Sequence, residues 1–264
     1  MNLQKKVVWI TGASSGIGEA LAYEFNKKGT LLILSARRID ELERVKNGCI
    51  DHEESVKILP LDLEDSDAIP GKVQEAVELF GSVDMLINNG GISQRAYAAD
   101  ATMGTIRKVM EVNFFGTVGL TKAVLPHMIE QKSGHIVVVS SVMGKFGTQY
   151  RSAYAASKHA LHGWFDSLRQ EVYGHQILVT LVCPGYVKTN VTINALTADG
   201  QKFDKMGEGQ KKAMSPEIFA RKLLPKLAKQ KEEVYIGGME VAAVYLKRWF
   251  PGLLNKLLRR MKVT

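Results

Sequence analysis

The sequence predicts an α/β fold: one domain built on a doubly wound parallel sheet of about seven strands, with helices on both faces. Short apolar runs alternate with longer amphipathic segments as far as about residue 237, which is the rhythm of strand–helix–strand units. The apolar runs are nearly continuous, as expected of strands buried on both faces. With 45% hydrophobic and 23% charged residues over 264 positions, the composition is that of an ordinary globular protein and excludes a disordered chain.

Seven short apolar segments are the predicted strands: Lys6–Thr11, Leu31–Ala36, Val56–Leu61, Met85–Asn88, His135–Ser141, Ile177–Cys183 and Val234–Ile236. Helix-length amphipathic segments separate them, near residues 16–28, 66–79, 102–131, 152–173 and 215–230. The stretch Val187–Met214 is polar and too long for an ordinary connection, so it is predicted to be a lid or binding loop. Ligands of such sheets bind beyond the carboxyl ends of the strands, where we therefore expect the site residues.

Composition and charge exclude several classes of protein. The longest fully apolar runs, such as Ile136–Val139 and Val241–Leu246, are far shorter than the roughly 20 residues of a spanning helix, and we expect no signal peptide. Cys49 and Cys183 are too few for a disulfide framework, which predicts a reducing compartment and a cytoplasmic location. The net charge of +8 comes from the C-terminal quarter, but no nucleic-acid-binding motif accompanies it, so no nucleic acid is expected. The six histidines form no ligand pair facing an acidic partner, so no metal is expected.

A glycine-rich turn follows the first predicted strand and leads directly into a helix. It reads Thr11-Gly12-Ala13-Ser14-Ser15-Gly16-Ile17-Gly18. Glycines at this point allow a tight turn and let a pyrophosphate approach the backbone, and the free N–H groups at the start of the helix attract that phosphate. The turn therefore predicts a dinucleotide site on a Rossmann-like sheet, with Ser14 and Ser15 in the phosphate loop.

At this point the chain resembles the short-chain dehydrogenase/reductase family, over about residues 5–237. The glycine spacing is Gly-x-x-x-Gly-x-Gly, and Asn88-Asn89-Gly90-Gly91 stands where the family usually has Asn-Asn-Ala-Gly. The resemblance implies further cofactor contacts at Asp62 and Leu63 (the adenine), at Asn89 and Gly90 (the turn), and at Pro184, Gly185, Val187 and Thr189 (the nicotinamide).

The end of the second predicted strand indicates which cofactor is used. An NAD-dependent enzyme has an acidic residue here that binds the ribose 2′-hydroxyl. Ala36 occupies this position, and Arg37 and Arg38 follow with planar guanidinium groups that suit a phosphate. The sequence therefore predicts NADP(H), with residues 1–240 as the NADP(H)-binding and catalytic domain and residues 241–264 as an extension of it.

Four residues carry the predicted chemistry: Asn113, Ser141, Tyr154 and Lys158. Tyr154 and Lys158 are four positions apart in a predicted helix and share one face, so the cation should lower the pKa of the phenol from about 10. The resemblance implies that Tyr154 is the acid–base residue, that Lys158 also binds the nicotinamide ribose, that Ser141 holds the substrate oxygen, and that Asn113 retains a relay water. By strand alternation, Ser140 is expected to face the opposite side of the sheet.

The predicted reaction is hydride transfer between the nicotinamide and a carbonyl or secondary alcohol, with Tyr154 giving or taking the proton. The loop 143–151 and the segments 192–196 and Met206-Gly207 are mostly apolar, which favours a hydrophobic substrate. The resemblance to the hydroxysteroid and member 7 branch of the family implies steroid-, retinoid- or lipid-like carbonyls. Two alternatives stay open: a catalytically silent NADPH-binding sensor or scaffold, and a membrane-surface lipid-binding protein.

The extension carries six basic residues and no acidic ones, and Pro251-Gly252 interrupts its apolar periodicity. It predicts two short helices with a bend. Their apolar stripe either packs on the protein and roofs the pocket or rests on an anionic membrane surface. The stripe comprises Leu246, Trp249, Phe250, Leu253, Leu254, Leu257, Leu258 and Met261.

The family resemblance also implies a homodimer or homotetramer, assembled through the helices predicted at 102–131 and 152–173. Their apolar residues exceed what a solvated face would carry. The predicted outer faces include Phe114, Phe115, Leu120, Leu161, Trp164, Phe165 and Leu168.

Overall fold

Seven strands form one parallel sheet in the computed structural model, which describes residues 3–204 and 213–260. They are β1 (Val7–Thr11), β2 (Leu31–Ser35), β3 (Val56–Ile58), β4 (Met85–Asn88), β5 (Gly134–Val139), β6 (Ile177–Pro184) and β7 (Glu233–Ile236). Their order in the sheet is β3–β2–β1–β4–β5–β6–β7. The direction of winding reverses between β1 and β4, and such a reversal leaves a crevice at the carboxyl ends of the strands.

Helices cover both faces of this sheet. They are α1 (Gly16–Asn26), α2 (Ile39–Asn47), α3 (His52–Ser55), α4 (Ile69–Phe80), α5 (Met103–Met110), α6 (Gly116–Glu130), α7 (Ser152–Glu171), α8 (Pro216–Ala228), α9 (Glu240–Trp249) and α10 (Pro251–Arg260). The helix predicted over 102–131 is in fact two helices, joined by a π-helical turn over Glu111–Phe115. The short helices α2 and α3 were not predicted.

Alternate residues of each strand point to opposite sides and form two separate hydrophobic cores. Val8 and Ile10 of β1 pack with α1 and α8, whereas Val7 and Trp9 of the same strand pack with α4, α6 and α7. All four side chains are buried. The nearly continuous apolar runs of the sequence are therefore explained by the burial of both sheet faces.

The proposed outer faces of α6 and α7 are mostly inward-facing, which corrects that part of the sequence interpretation. Leu120, Leu161, Phe165 and Leu168 are buried in the second core, and Phe114 and Trp164 pack partly against it. Phe115 is exposed.

The extension forms two helices, as its sequence predicts, and α10 begins at Pro251. Its apolar residues divide between two directions. Val244 and Leu254 are buried against Val142 and Phe146, beside the carboxyl end of β5. The opposite side presents exposed apolar residues to solvent: Tyr245, Trp249, Phe250, Leu253 and Leu257.

Both cysteines are buried, and Cys49 lies in the core beside α2. Within the described ranges, no helix is long and apolar enough to cross a membrane. Met206, Gly207, Met261 and Lys262 lie outside the described residues.

Candidate active site

A cleft of about 560 Å³ lies at the carboxyl edge of the sheet. Every predicted site residue lines it except Gly18 and Asn113, which lie behind its wall. The lining residues among those predicted are Gly12, Ser14, Ser15, Gly16, Ile17, Arg37, Arg38, Asp62, Leu63, Asn89, Gly90, Ser141, Tyr154, Lys158, Pro184, Gly185, Val187 and Thr189. The fold thus brings segments that are far apart in sequence to one surface.

The glycine-rich turn has the shape of a phosphate cradle. Gly12 and Gly16 have φ values of 63° and 60°, in the left-handed region that side chains disfavour. A Cβ on Gly18 would collide with the carbonyl oxygen of Gly12, so the first turn of α1 packs directly on the loop. The backbone is therefore open to a ligand at the start of α1, as a pyrophosphate requires. On this observation the turn fits a dinucleotide.

A side-chain clamp that the sequence did not reveal joins this loop to the one after β4. The Asn89 amide donates to the carbonyl oxygens of Thr11 (3.0 Å) and Gly12 (3.2 Å). The Thr11 hydroxyl accepts from the backbone N–H groups of Asn89 and Gly90, each at 3.0 Å. These bonds fix the separation of β1 and β4 at the crevice. Thr11 was missed because its partners lie about 78 positions away.

Basic groups stand at the end of β2. Arg37 and Arg38 are both exposed on the cleft, and the Arg38 guanidinium donates to the Ser14 hydroxyl at 3.2 Å. Arg44, which the sequence reading overlooked, reaches the Ser14 carbonyl (3.4 Å) and forms an ion pair with Glu19 (2.7 Å). Arg37 and Arg38 thus border the cleft beside Ala36.

Gly90 packs closely against Leu63. A Cβ at this position would stand 2.7 Å from Cδ1 of Leu63, which is itself buried. An alanine here would therefore require the Leu63 side chain to shift. Asp62, beside it, accepts a hydrogen bond from the backbone of Glu64 at 3.1 Å and borders the cleft.

Ser141 and Tyr154 meet at the other end of the cleft. Burial raises the pKa of the Tyr154 phenol, and the hydrogen bond with Ser141 and the charge of Arg151 lower it in part. The cation that acts on the phenol is thus Arg151, which differs from the expectation that Lys158 has this effect. Ser141 also accepts a bond from the backbone N–H of Met143 at 3.1 Å, which orients its hydroxyl.

Lys158 is almost completely buried beneath Tyr154. Its ammonium donates to the carbonyl oxygen of Val139 at 2.9 Å and lies 5.8 Å from the centre of the Tyr154 ring. Burial lowers the pKa of Lys158 from 10.5 to about 8. The Lys158 amine therefore titrates nearer to neutral pH than a free lysine does, and it borders the cleft.

Asn113 is presented by the π-helical turn, and its amide holds neighbouring backbone in place. Its Oδ1 accepts from the N–H of Ile92 (2.8 Å), and its Nδ2 donates to the carbonyl of Ile92 (2.9 Å) and to the Ser157 hydroxyl (3.0 Å). Ser157 in turn donates to the carbonyl of Tyr154 at 2.8 Å. The side chain thus connects the loop after β4 to the helix that carries Tyr154.

The loop after β6 is attached to the extension through Glu240. Its carboxylate accepts from the backbone N–H groups of Tyr186 (2.8 Å) and Gly238 (2.9 Å). A Cβ on Gly185 would overlap this carboxylate, so the glycine is needed for the contact. On the cleft side, the Thr189 methyl lies 3.0 Å from where a Cβ of Gly16 would be. Glu240 was not a candidate in the sequence, because its partners are backbone groups.

A polar cluster behind Ser140 corrects one detail of the sequence interpretation. The Ser140 hydroxyl donates to the Lys158 carbonyl at 3.3 Å and contacts His162 Nε2 at 3.1 Å. One histidine does face an acidic residue, since His162, Cys183 and Glu233 offer ligand atoms within 4.8 Å of one another. Lys145 forms an ion pair with the same Glu233 oxygen at 2.7 Å. The cluster is therefore an ion-paired network in which a cation already holds the carboxylate.

Comparisons with known proteins agree with this geometry. The sequence profile of the family described as short chain dehydrogenase matches residues 6–199. The chain is 46% identical over 252 residues to a dehydrogenase/reductase SDR family protein 7-like of Anopheles gambiae, covering 94% of this chain and 80% of that protein. It is 41% identical over 265 residues to the dehydrogenase/reductase SDR family member 7 of Homo sapiens, covering 97% of this chain and 78% of that protein.

Solved structures share the fold. A short-chain dehydrogenase from Streptomyces avermitilis superposes with a TM-score of 0.80 at 27% identity, covering 97% of this chain and 96% of that chain. A short-chain dehydrogenase/reductase from Burkholderia phymatum, solved in complex with NAD, superposes with a TM-score of 0.85 at 21% identity and covers 96% of each chain. The sheet and its helices are therefore a known architecture.

Proposed function

The chain belongs to the short-chain dehydrogenase family, and from this membership we propose that it is an NADP(H)-dependent oxidoreductase acting on a carbonyl or secondary alcohol. The observation that carries the proposal is the meeting of Ser141, Tyr154 and Lys158 at one end of a cleft whose other end is the glycine cradle. A nucleotide bound along this cleft would lie between phosphate donors and a proton donor. Relatives named dehydrogenase/reductase at 41–46% identity support the reaction class.

The protein's own groups supply positioning and the proton. NADPH, held by the glycine-rich turn, Arg37 and Arg38, would supply the hydride for the carbonyl carbon. Ser141 holds the carbonyl oxygen by a hydrogen bond, and Tyr154 releases a proton from its phenolic oxygen to the same atom. The charge of Arg151 favours the phenolate that remains, and Lys158, buried beneath the ring, would bind the nicotinamide ribose. In the oxidation of an alcohol, Tyr154 instead takes the proton as a base.

We assign the cofactor preference to NADP(H). Ala36 presents no carboxylate to a 2′-phosphate, and Arg37 and Arg38 are exposed on the cleft with guanidinium groups suited to it. Structural neighbours solved with NAD and with 5-hydroxy-NADP show that this fold accepts both classes of nucleotide. Arg37 and Arg38 support NADP(H) as the nucleotide of this chain.

Steady-state oxidation of NADPH and of NADH, with a panel of hydrophobic ketones and aldehydes, tests the proposal. We expect turnover of at least one hydrophobic carbonyl with NADPH and much slower turnover with NADH. A protein that binds NADPH tightly but reduces no carbonyl and oxidises no alcohol is instead the sensor or scaffold. Equal affinity for the two cofactors contradicts the assignment to Arg37 and Arg38.

A membrane-surface role for the extension is a second proposal, carried by its outward apolar face. Trp249, Phe250 and Leu253 are all more than half exposed, and the sequence around them is basic. Such a face suits the headgroup region of an anionic bilayer, from which a lipid-like substrate would enter. Co-sedimentation with anionic and neutral vesicles compares the full chain with its double variant Trp249→Ser, Leu253→Ser. Binding only by the unmodified chain, and only to anionic vesicles, is expected; equal behaviour of the two proteins contradicts it.

We also propose a homodimer or homotetramer, from the family resemblance and the exposed Phe115 between α5 and α6. Light scattering at micromolar concentration is expected to report twice or four times the mass of the chain. A monomer alone at this concentration contradicts the assembly. Phe115→Ser is expected to shift the distribution towards smaller species.

A further inference from the structure

Two arginines lie close to each other and near Tyr154: Arg95 is buried, and Arg151 is half-buried. Arg95 follows β4 and is only 9% exposed, with its guanidinium 5.0 Å from the centre of the Phe203 ring. Arg151 immediately precedes α7 and donates from Nη1 to the Ser93 hydroxyl at 2.6 Å. It stands one helical turn before Tyr154. Neither residue belongs to the nucleotide end, which Arg37 and Arg38 serve at the end of β2.

Neither guanidinium forms an ion pair with a carboxylate, within residues 3–204 and 213–260. The charges that act on Arg95 come from the phenols of Tyr150 and Tyr186, and those that act on Arg151 include Arg95 itself, which repels it. Burial lowers the pKa of both arginines. Buried cations are ordinarily paired with an anion, because removing a charge from water is unfavourable. Arg95 is such a cation, and its charged neighbour is the half-buried Arg151, which repels it, so we look to a ligand for the anion.

Gln94 supplies a third donor near both arginines, since it precedes Arg95 and its side chain contacts the start of α7. Gln94, adjacent to both Ser93 and Arg95, is completely buried, and its Oε1 accepts from the N–H of Ala153 at 2.9 Å. That bond fixes the amide, while its Nε2 has no hydrogen-bond acceptor within the described part of the chain. An unpartnered buried N–H donor costs stability and calls for an acceptor. The local chemistry is therefore two guanidinium groups and an amide, all of them donors.

We propose that Arg95 and Arg151 bind an anionic group of the substrate, a carboxylate or a phosphate, so that the substrate is a hydrophobic carbonyl compound with an anionic end. The inference rests on the proposed function, because it assigns a substrate class to the same active site. Planar guanidinium groups bind two oxygens of such an anion at once. The bound anion would place the substrate carbonyl next to Tyr154, which lies one helical turn after Arg151.

Matched ketones test the specificity. A series of keto acids with increasing spacing between carbonyl and carboxylate is compared with the corresponding methyl esters, and a ketone phosphate monoester with its parent alcohol. At the right spacing we expect kcat/KM to be at least tenfold higher for the charged member of a pair. The two arms distinguish carboxylate from phosphate. Equal kcat/KM for charged and neutral members across both arms overturns the inference, while turnover of neutral ketones leaves the proposed function standing.

Arginine variants link that preference to the site. Arg95→Gln and Arg151→Gln are expected to remove most of the preference for the charged member. Arg151→Lys should retain part of it, because lysine keeps the charge but lacks the two parallel N–H donors of a guanidinium. Arg107→Gln, on the exposed surface of α5, is the matched control and should keep the preference. A preference that survives Arg95→Gln and Arg151→Gln overturns the assignment.

Binding without turnover separates this inference from the proposed reaction. Saturated fatty carboxylates and alkyl phosphates contain no carbonyl that NADPH can reduce, so their effect on thermal unfolding reports binding alone. We expect them to raise the Tm of the unmodified chain and of Arg107→Gln, but not of Arg95→Gln. If no carbonyl is reduced and this shift is still seen, the anion site stands and the reaction fails. If ketones are reduced and no anion raises the Tm, the anion site is wrong.

Discussion

Lys158→Met is expected to change how the stability of the protein depends on pH. The ammonium of Lys158 is buried, and its pKa falls from 10.5 to about 8 in the folded state. Between these values the unfolded chain binds more protons than the folded one, so the free energy of unfolding rises with pH in this window. Below pH 8 both states are protonated, and the cost of burying the charge is present in full.

The size of the effect follows from the two pKa values. A difference of this size corresponds to about 3 kcal/mol of unfolding free energy at 25 °C. Methionine has a similar length and carries no charge, so the variant lacks this term at every pH. The variant also loses the hydrogen bond to the Val139 carbonyl, which lowers its free energy of unfolding by about 1.5–3 kcal/mol. That offset changes the level of the difference, not its dependence on pH.

Urea unfolding at pH 7, 8.5, 9.5 and 10.5 measures the difference between the two proteins. We expect the stability of the variant, relative to the unmodified chain, to fall by about 3 kcal/mol between pH 7 and pH 10.5. Comparing two proteins at each pH cancels the contributions of other groups, including the buried Cys183, whose thiol pKa burial raises to about 12. Lys122→Met, at an exposed position of α6, is the control and should show a nearly constant difference. Parallel curves for Lys158→Met and the unmodified chain would refute the reasoning.

Three further predictions concern single side chains. Tyr154→Phe removes the proton donor and should lower kcat about 10²–10⁴-fold with NADPH affinity retained; near-normal turnover of a verified carbonyl substrate contradicts its role. Arg37→Asp should weaken NADPH binding by about 1.5–3 kcal/mol in a fluorescence titration while NADH binding is kept or improved, and unchanged NADPH affinity counts against it. Asn113→Ala removes three hydrogen bonds and should lower the free energy of unfolding by about 2–4 kcal/mol in urea. The exposed Asn47→Ala is its control, and equal losses in the two variants would show that the bonds of Asn113 contribute little.

The sheet and the two ends of the cleft could be predicted from sequence because their signals are local. Continuous apolar runs mark the strands, and the glycine turn and the Tyr154–Lys158 pair each lie within a few consecutive residues. Helix α2 escaped prediction because only Leu42 and Val45 of its nine residues are buried, too few to give a clear apolar period.

Contacts between distant segments account for the other differences. Thr11 and Glu240 act through backbone groups of segments more than 50 positions away, which no local pattern reveals. The same holds for the phenol: its pKa depends on the burial of Tyr154 and on the direction of Arg151, and spacing along α7 fixes neither. The π-helical turn over Glu111–Phe115 likewise interrupts a segment whose apolar period predicts one continuous helix.

The all-parallel sheet has a consequence for synthesis on the ribosome. No two neighbouring strands are joined by a tight turn, and β1 pairs with β4 some 77 positions later, at Val8 and Met85. The chain loses conformational entropy in closing such long loops before the strand pairing can stabilise it, and folding is slow for this reason. A nascent chain exposes its glycine-rich turn early, but the Pro184-Gly185 wall of the cleft forms only after that segment has left the exit tunnel. A half-translated chain therefore has no complete cleft in which a nucleotide could assist its folding, and its unpaired strand edges stay open to association with other chains until β6 is in place.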